Sequence, residues 1–201
     1  TWLGVGGAFQ DVDLLLGLLG LIVATVWRAC RGGELETPFA SRTFVEAARR
    51  FGSDKPDLRF GLEIEEATSI TRGSEFGVFA GAEAVRFLRV PRRYSRSELA
   101  ELEEFARQWG AKGLAYVVYD ESGEVRSPIA KFLSESELAA LGGKPGETIL
   151  FAADAWPMTS RVLGALRTEL GARLGLTEVT EWAWLWITDF PMFEWDDEEQ
   201  R

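Results

Sequence analysis

Between Trp182 and Ile187 the chain reads WAWLWI, apolar at every position. Strand alternation puts Trp182, Trp184 and Trp186 on one face and Ala183, Leu185 and Ile187 on the other. Two apolar faces predict an interior strand of a covered sheet. Thr188-Asp189 turns polar and Pro191 removes a ladder donor, so the strand is expected to end there. Near the other end, QDVDLLLGLLGLIVATVWRACRGG begins with acids, ends with bases and is followed by a Gly pair, which is the polarity a helix dipole favours. The pattern predicts a helix over Val12–Arg31. Its apolar middle, Leu14 to Trp27, is about fourteen residues long, short of the roughly 20 a bilayer needs. No basic segment or clear cleavage site precedes it. A buried core helix is therefore favoured over a membrane or signal segment. Before it, TWLGVGGAF makes at most a weak strand, because Gly4, Gly6 and Gly7 give it little to pack.

After the Thr37-Pro38 turn, Thr43 to Phe51 predicts a short helix with Phe44, Ala47, Ala48 and Phe51 on one face. Gly52 to Arg59, GSDKPDLR, is rich in turn formers and reads as a structured loop. From Phe60 to Leu176 strands and helices then alternate. Glu75–Ala80 and Ala84–Val90 read as strands, followed by a Ser95…Glu98 capping box and a helix with Leu99, Leu102, Phe105, Ala106 and Trp109 on its apolar stripe. Gly113–Tyr119 and Pro128–Leu133 read as strands, and a second capping box, Ser134…Glu137, opens a helix stopped by Gly142-Gly143. Thr148–Ala153 is the next strand, and Pro157 suits the first turn of a helix whose core face carries Leu163, Leu166, Leu170 and Leu174. The segment is an α+β domain by pattern, with a core of its own.

Composition narrows the chemistry. With 201 residues and 46% hydrophobic positions the chain can bury a real core. A formal charge of −10 argues against nonspecific nucleic-acid binding by the whole surface and leaves room only for a local basic patch. The single cysteine, Cys30, excludes an internal disulfide and a cysteine zinc cluster, and suits a reducing cytoplasm. With no histidine there is no Ser-His or Cys-His nucleophile pair, so catalysis within the chain would fall to carboxylates, Lys, Arg or Tyr.

Two charge clusters are candidates. The acidic tail around Asp189, Glu194 and Asp196 to Glu199 has oxygen ligands of the kind Mg2+ takes, although such a run is more often a solvated end; no metal site is assigned. Arg86, Arg89, Arg92, Arg93 and Arg96, interleaved with Phe87 and Tyr94, have the make-up of a phosphate-contacting surface. Exposed arginines paired with the abundant Glu would have the same make-up. Neither Lys112 nor Lys131 has a paired acid nearby in sequence, and GLLGL lacks the strand, turn and Lys of a P-loop. No catalytic residue can be named from the pattern.

GSDKPDLRFGLE, RGSEFGVFAG, FLRVPRR, WGAKGLAYV, SPIAKFL, GALRTELGARLGL and LWITDFPMFEW occur in this order. Together they resemble segments of bacterial-type aspartyl-tRNA synthetases at family spacing, from about Glu34 to Glu199. The resemblance implies an α+β fold: a GAD-type insertion domain at 60–178, flanked at 1–59 and 179–201 by pieces of the antiparallel catalytic sheet of a class II synthetase. A related domain occurs in an archaeal tRNA-dependent amidotransferase subunit, but the flanking GSDKPDLR and DFPMFEW favour the synthetase. For the parent protein it implies ATP and Mg2+ as cofactors, tRNA as partner, a homodimer, a cytoplasmic location and no membrane. The insertion domain would lie on the side from which the tRNA acceptor arm approaches, and the Arg86–Arg96 stretch is its densest positive strip.

The start departs from the family pattern. A family strand reading roughly TQLDLEMSF carries Gln, Asp and Glu toward the substrates; the matching positions here are Trp2, Gly4 and Gly6. The family's ATP-binding arginine and glutamate would precede Thr1, and its substrate-site histidine and last arginine motif would follow Arg201. The expectation is an internal fragment with no activity or cofactor of its own; the alternative is a noncatalytic tRNA-contacting or structural GAD module.

Overall fold

The computed structural model describes residues 12–178 and 182–193. Its elements, in chain order, are α1 (Val12–Arg31), β1 (Ala40–Thr43), α2 (Phe44–Phe51), β2 (Ile64–Glu66), α3 (Thr68–Thr71), α4 (Gly77–Ala80) and β3 (Ala84–Val90). There follow α5 (Arg96–Gln108), β4 (Ala115–Tyr119), β5 (Val125–Arg126), α6 (Glu135–Leu141), β6 (Thr148–Asp154), α7 (Trp156–Arg173) and β7 (Leu185–Thr188). They divide into two compact units, described at 12–44 with 182–193 and at 45–178.

In the first unit α1 keeps the predicted limits, but Gly20 is its only buried residue, with Phe39 packed beneath it. Leu14, Leu18, Leu21, Ile22 and Val26 are each more than half exposed. The expectation of a buried core helix is therefore corrected: among the described residues too little apolar surface is available to cover it. Its length and composition would also suit a bilayer span, a test that core helices pass equally. Aromatic contacts join its end to the tryptophan run, with Trp27 edge-on to Trp182 at 5.0 Å and to Trp184 at 5.6 Å, and Phe39 stacked on Trp184 at 5.4 Å. The strand itself is shorter than predicted. β7 starts at Leu185, is half-buried throughout and, among the described residues, pairs in parallel with β1 alone. With one neighbour it is not the doubly covered strand its composition predicts. The weak strand at residues 1–9 and the acidic tail from Glu194 lie outside the described residues.

The second unit is built on a five-stranded antiparallel sheet in the order β2-β3-β6-β4-β5. Its centre is the pair β3–β6, in register from Ala84↔Asp154 to Val90↔Thr148. One face packs Leu88, Val90, Val118 and Leu150 under α5 and α7; the other packs Val85, Phe87, Val117, Ile149 and Phe151 under α3, α4 and α6. Burial of both faces explains why AVRFLRV and TILFAAD are almost continuously apolar rather than alternating. Both capping boxes form: Ser95 Oγ accepts from Glu98 N while Ser95 N donates to the Glu98 carboxylate, and Ser134 and Glu137 repeat the arrangement. The left-handed Gly142, at φ 61°, ends α6 as its sequence predicts.

Two predicted strands have another conformation. Residues 75–80 contain α4, one helical turn that seats Phe79 at 2% exposure against Phe76 and Phe151. A short apolar run does not separate a strand from a single helical turn by periodicity. Pro128 to Leu133 instead holds a 3-10 turn at Ala130–Phe132. Ser127 Oγ donates to Tyr116 O and accepts from Ile129 N, which bends the chain there. The partner of β4 is the two-residue β5.

Candidate functional site

The five arginines predicted to form one strip do not share a surface. Strand alternation sends Arg86 to the α7 face of β3 and Arg89 to the other. Arg86 is 1% exposed; it donates to Ser160 Oγ at 2.6 Å and to the Arg49 carbonyl, and its guanidinium lies 5.3 Å from the centre of the Trp156 ring. Burial lowers its pKa, opposed by Glu66. Arg89 bridges strands and helix: it donates to Glu65, to Leu141 O and Gly142 O at 2.8 Å each, and lies 3.6 Å from Glu147. Both side chains are taken up by the fold, which corrects their expected place on a phosphate-contacting surface. Arg92 and Arg93 remain exposed on the β3–α5 connection, and Arg96 at the first residue of α5. Arg92 covers the Tyr94 ring and pairs with Glu98, and Arg93 pairs with Glu121 at 3.2 Å. Arg96 has no ion-pair partner among the described residues.

Below these three opens a groove of roughly 950 Å³ between the start of α5 and the β4–β5 hairpin. Arg93, Arg96 and Arg126 line it with Asp120 as the one acid, over a floor that includes Leu99, Tyr116 and Val125. Asp120 is itself engaged: Ser122 Oγ donates to it at 2.6 Å, Glu124 N at 2.9 Å and Arg126 at 3.1 Å. The Ser122 bond, then the backbone donors and Arg126, hold its carboxyl below the usual range.

GSDKPDLR is a second feature with a physical role. Gly52, at φ 69°, meets Gly164 of α7 backbone to backbone, where a Cβ on either residue would collide with the other's main chain. Arg167, one turn along and 2% exposed, donates from one terminal nitrogen to the carbonyls of Asp57, Phe60 and Gly61 at 2.7–2.9 Å. The rings of Phe60 and Phe51 lie 4.3 and 5.0 Å from its guanidinium. Within the loop, Ser53 Oγ accepts from Lys55 N, and Asp57 accepts from Arg59 N and side chain. Sequence reasoning missed Arg167, although it follows Leu163 by one helical turn and so belongs to the buried stripe of α7. It missed Arg126 because the predicted strand lay beyond it.

The described residues do not assemble an ATP–Mg2+ centre. Among the described residues no group of three acidic or otherwise metal-ligating side chains converges. Trp2, Gly4 and Gly6 carry no carboxylate and lie outside the described residues. No step of adenylate formation can be assigned to these residues.

Arg59 holds the Asp57 carboxyl below its ordinary value, and Lys112, at 2.8 Å, does the same for Asp154. A depressed folded-state pKa means that the unfolded chain binds more protons. The stabilisation is therefore complete above the ordinary value of 3.8 and is lost as pH falls through the lower folded-state values. Urea midpoints of the chain should fall as pH drops below about 4, and Asp57→Asn should flatten part of that slope. An identical slope in the variant would remove Asp57 from the account.

An antiparallel sheet covered by helices on both faces and interrupting another unit defines the class, and residues 78–163 match the GAD domain family. The whole sequence is similar to bacterial aspartate–tRNA ligases. It is 45% identical over 211 aligned residues to the aspartate–tRNA(Asp/Asn) ligase of Symbiobacterium thermophilum, covering 100% of this chain and 36% of that protein. It is 41% identical to the aspartate–tRNA ligase of Agathobacter rectalis, over 96% of this chain and 34% of that one. With the aspartate–tRNA(Asp/Asn) ligase of Nitratidesulfovibrio vulgaris it shares 40% identity, over 100% and 34% respectively. The similarity to aspartate–tRNA ligases runs through a region that contains the GAD domain match. The chain spans about a third of the length of the curated relatives it matches.

Proposed function

We propose that the complete protein activates aspartate with ATP and Mg2+ and transfers it to tRNA, as a cytoplasmic homodimer. On this reading 60–178 is the inserted GAD domain, and 1–59 and 179–201 are pieces of the class II catalytic sheet. The observation that carries it is identity of 40–45% to aspartate–tRNA ligases over essentially the whole chain, flanks included. The isolated 201-residue chain is expected to be inactive. The alternative, a noncatalytic tRNA-contacting or structural GAD module, is favoured by one feature, the loss of polar side chains at Trp2, Gly4 and Gly6.

Arg92, Arg93 and Arg96 are the part of the predicted strip that supports an RNA-facing surface, because they are not consumed inside the fold. A transplant tests the reading. Residues 45–178 are placed in the Symbiobacterium thermophilum ligase in exchange for the matching segment, and aspartate attachment to tRNA is measured. The expected result is a folded chimera that charges tRNA. A folded chimera with no charging above that of an enzyme lacking the domain would count against equivalence and for the alternative.

A further inference from the structure

The groove beneath Arg93, Arg96 and Arg126 has features that folding alone does not require. Arg96 occupies the first turn of α5, two residues before Glu98, and makes no ion pair of its own among the described residues. Tyr94, on the groove wall, is 7% exposed, with Arg92, Glu98 and Arg173 as the charged neighbours of its hydroxyl. Three arginines against one aspartate make the lining net positive in a chain of charge −10. The ion pairs that hold two of these arginines, Arg93–Glu121 and Arg126–Asp120, have exposed members, and such pairs exchange readily for a better anion. A net-positive lining whose ion pairs are exposed, over an apolar floor, points to an anionic ligand.

We propose that this groove takes an unpaired RNA nucleotide, its phosphate held by Arg93, Arg96 and Arg126 and its base laid against Tyr116 and the apolar floor. Planar guanidinium forks match phosphate oxygens in pairs. An aromatic ring beside aliphatic side chains accepts a base of any sequence. The groove is half open to solvent, and its roughly 950 Å³ admits a nucleotide with its flanking phosphate. A duplex is disfavoured, because a groove flanked by α5 and a hairpin is entered by a single strand and not by a paired helix. The inference rests on the RNA-facing reading above and narrows it to one site and one kind of RNA.

The test uses the 201-residue chain and fluorescence anisotropy with two labelled probes, a mixed-sequence single-stranded tetraribonucleotide and a blunt RNA hairpin whose stem is closed by a non-nucleotide linker. The variants are Arg96→Glu with Arg126→Glu, Tyr116→Leu, and Arg92→Glu as a basic position outside the groove lining. Circular dichroism and melting temperature confirm that each remains folded. The single strand is expected to bind more tightly than the hairpin. The double variant should weaken it by at least about tenfold and lower the salt slope by roughly 0.7 for each phosphate no longer neutralised. Tyr116→Leu should weaken it by about five- to a hundredfold, the range for removing one stacked base. Single-strand binding unchanged in the double variant overturns the groove. A hairpin bound more tightly than the single strand, and weakened by Arg92→Glu alone, overturns the groove while leaving an RNA-facing surface. Failure of both probes to bind overturns both.

Discussion

Replacing Arg167 by methionine is expected to destabilise the 45–178 unit by about 3 kcal/mol, more than a hundredfold in its unfolding equilibrium. One guanidinium nitrogen serves the carbonyls of Asp57, Phe60 and Gly61, and methionine leaves all three without their donor. The Phe60 carbonyl is buried, and leaving it unsatisfied costs about 1–3 kcal/mol; the part-buried carbonyls of Asp57 and Gly61 cost less, and removing the cation from the rings of Phe60 and Phe51 adds about 0.5–2 for each ring. Removing a desolvated charge returns part of this, which is why the expected total stays well below the sum. Burial lowers the Arg167 pKa, with Asp57 and Glu63 opposing, yet a guanidinium stays charged at neutral pH. Arg167→Lys should recover little, since an ammonium lacks the planar fork that sits between two rings. Urea unfolding measures the loss, and amide exchange locates it. Fast exchange confined to residues 53–61, with the sheet still protected, is the expected early sign. A loss under about 1 kcal/mol would mean that the loop is held mainly by the close approach of Gly52 to Gly164.

The capping boxes, the Val12–Arg31 helix, β3, β6 and α7 were legible because each carries a local signature: a side chain reaching its own backbone, a charge gradient, or an apolar run ended by Gly or Pro. Elements decided by tertiary contact were not. WAWLWI has the composition of a strand covered on both faces, but the number of neighbours it finds is not written in its own residues; in the described structure it has one. Gly77–Ala80 is too short for any period to register. The basic stretch failed for a different reason, since counting arginines ignores where a strand aims them. Parity alone separates Arg86 from Arg89, and the doubly apolar character of β3 already implied that both point into helices. The groove could not be read from sequence at all, because Arg96 and Arg126 meet only through the pairing order of β3, β6, β4 and β5.

The largest expected effect lies at the start of the chain. Residues 1–201, placed in the Symbiobacterium thermophilum ligase over the matching region, should lower aspartate-dependent ATP–pyrophosphate exchange by roughly 10²–10³-fold or more, the loss typical of removing a preorganised transition-state group. By resemblance, a family strand presents Gln, Asp and Glu to the substrates at the positions that are Trp2, Gly4 and Gly6 in this sequence. Groups that act as a unit are not additive, so losing three need cost little more than losing the most important one. Restoring Trp2→Gln, Gly4→Asp and Gly6→Glu together should recover most of the exchange, whereas any one alone should recover little. The transplant of 45–178, which leaves the recipient's own strand in place, should stay active in the same assay. That contrast separates the two units: catalytic failure would follow the altered strand, and the GAD domain would be exchangeable. Full exchange in the 1–201 chimera would show instead that the family's polar face is dispensable at these positions.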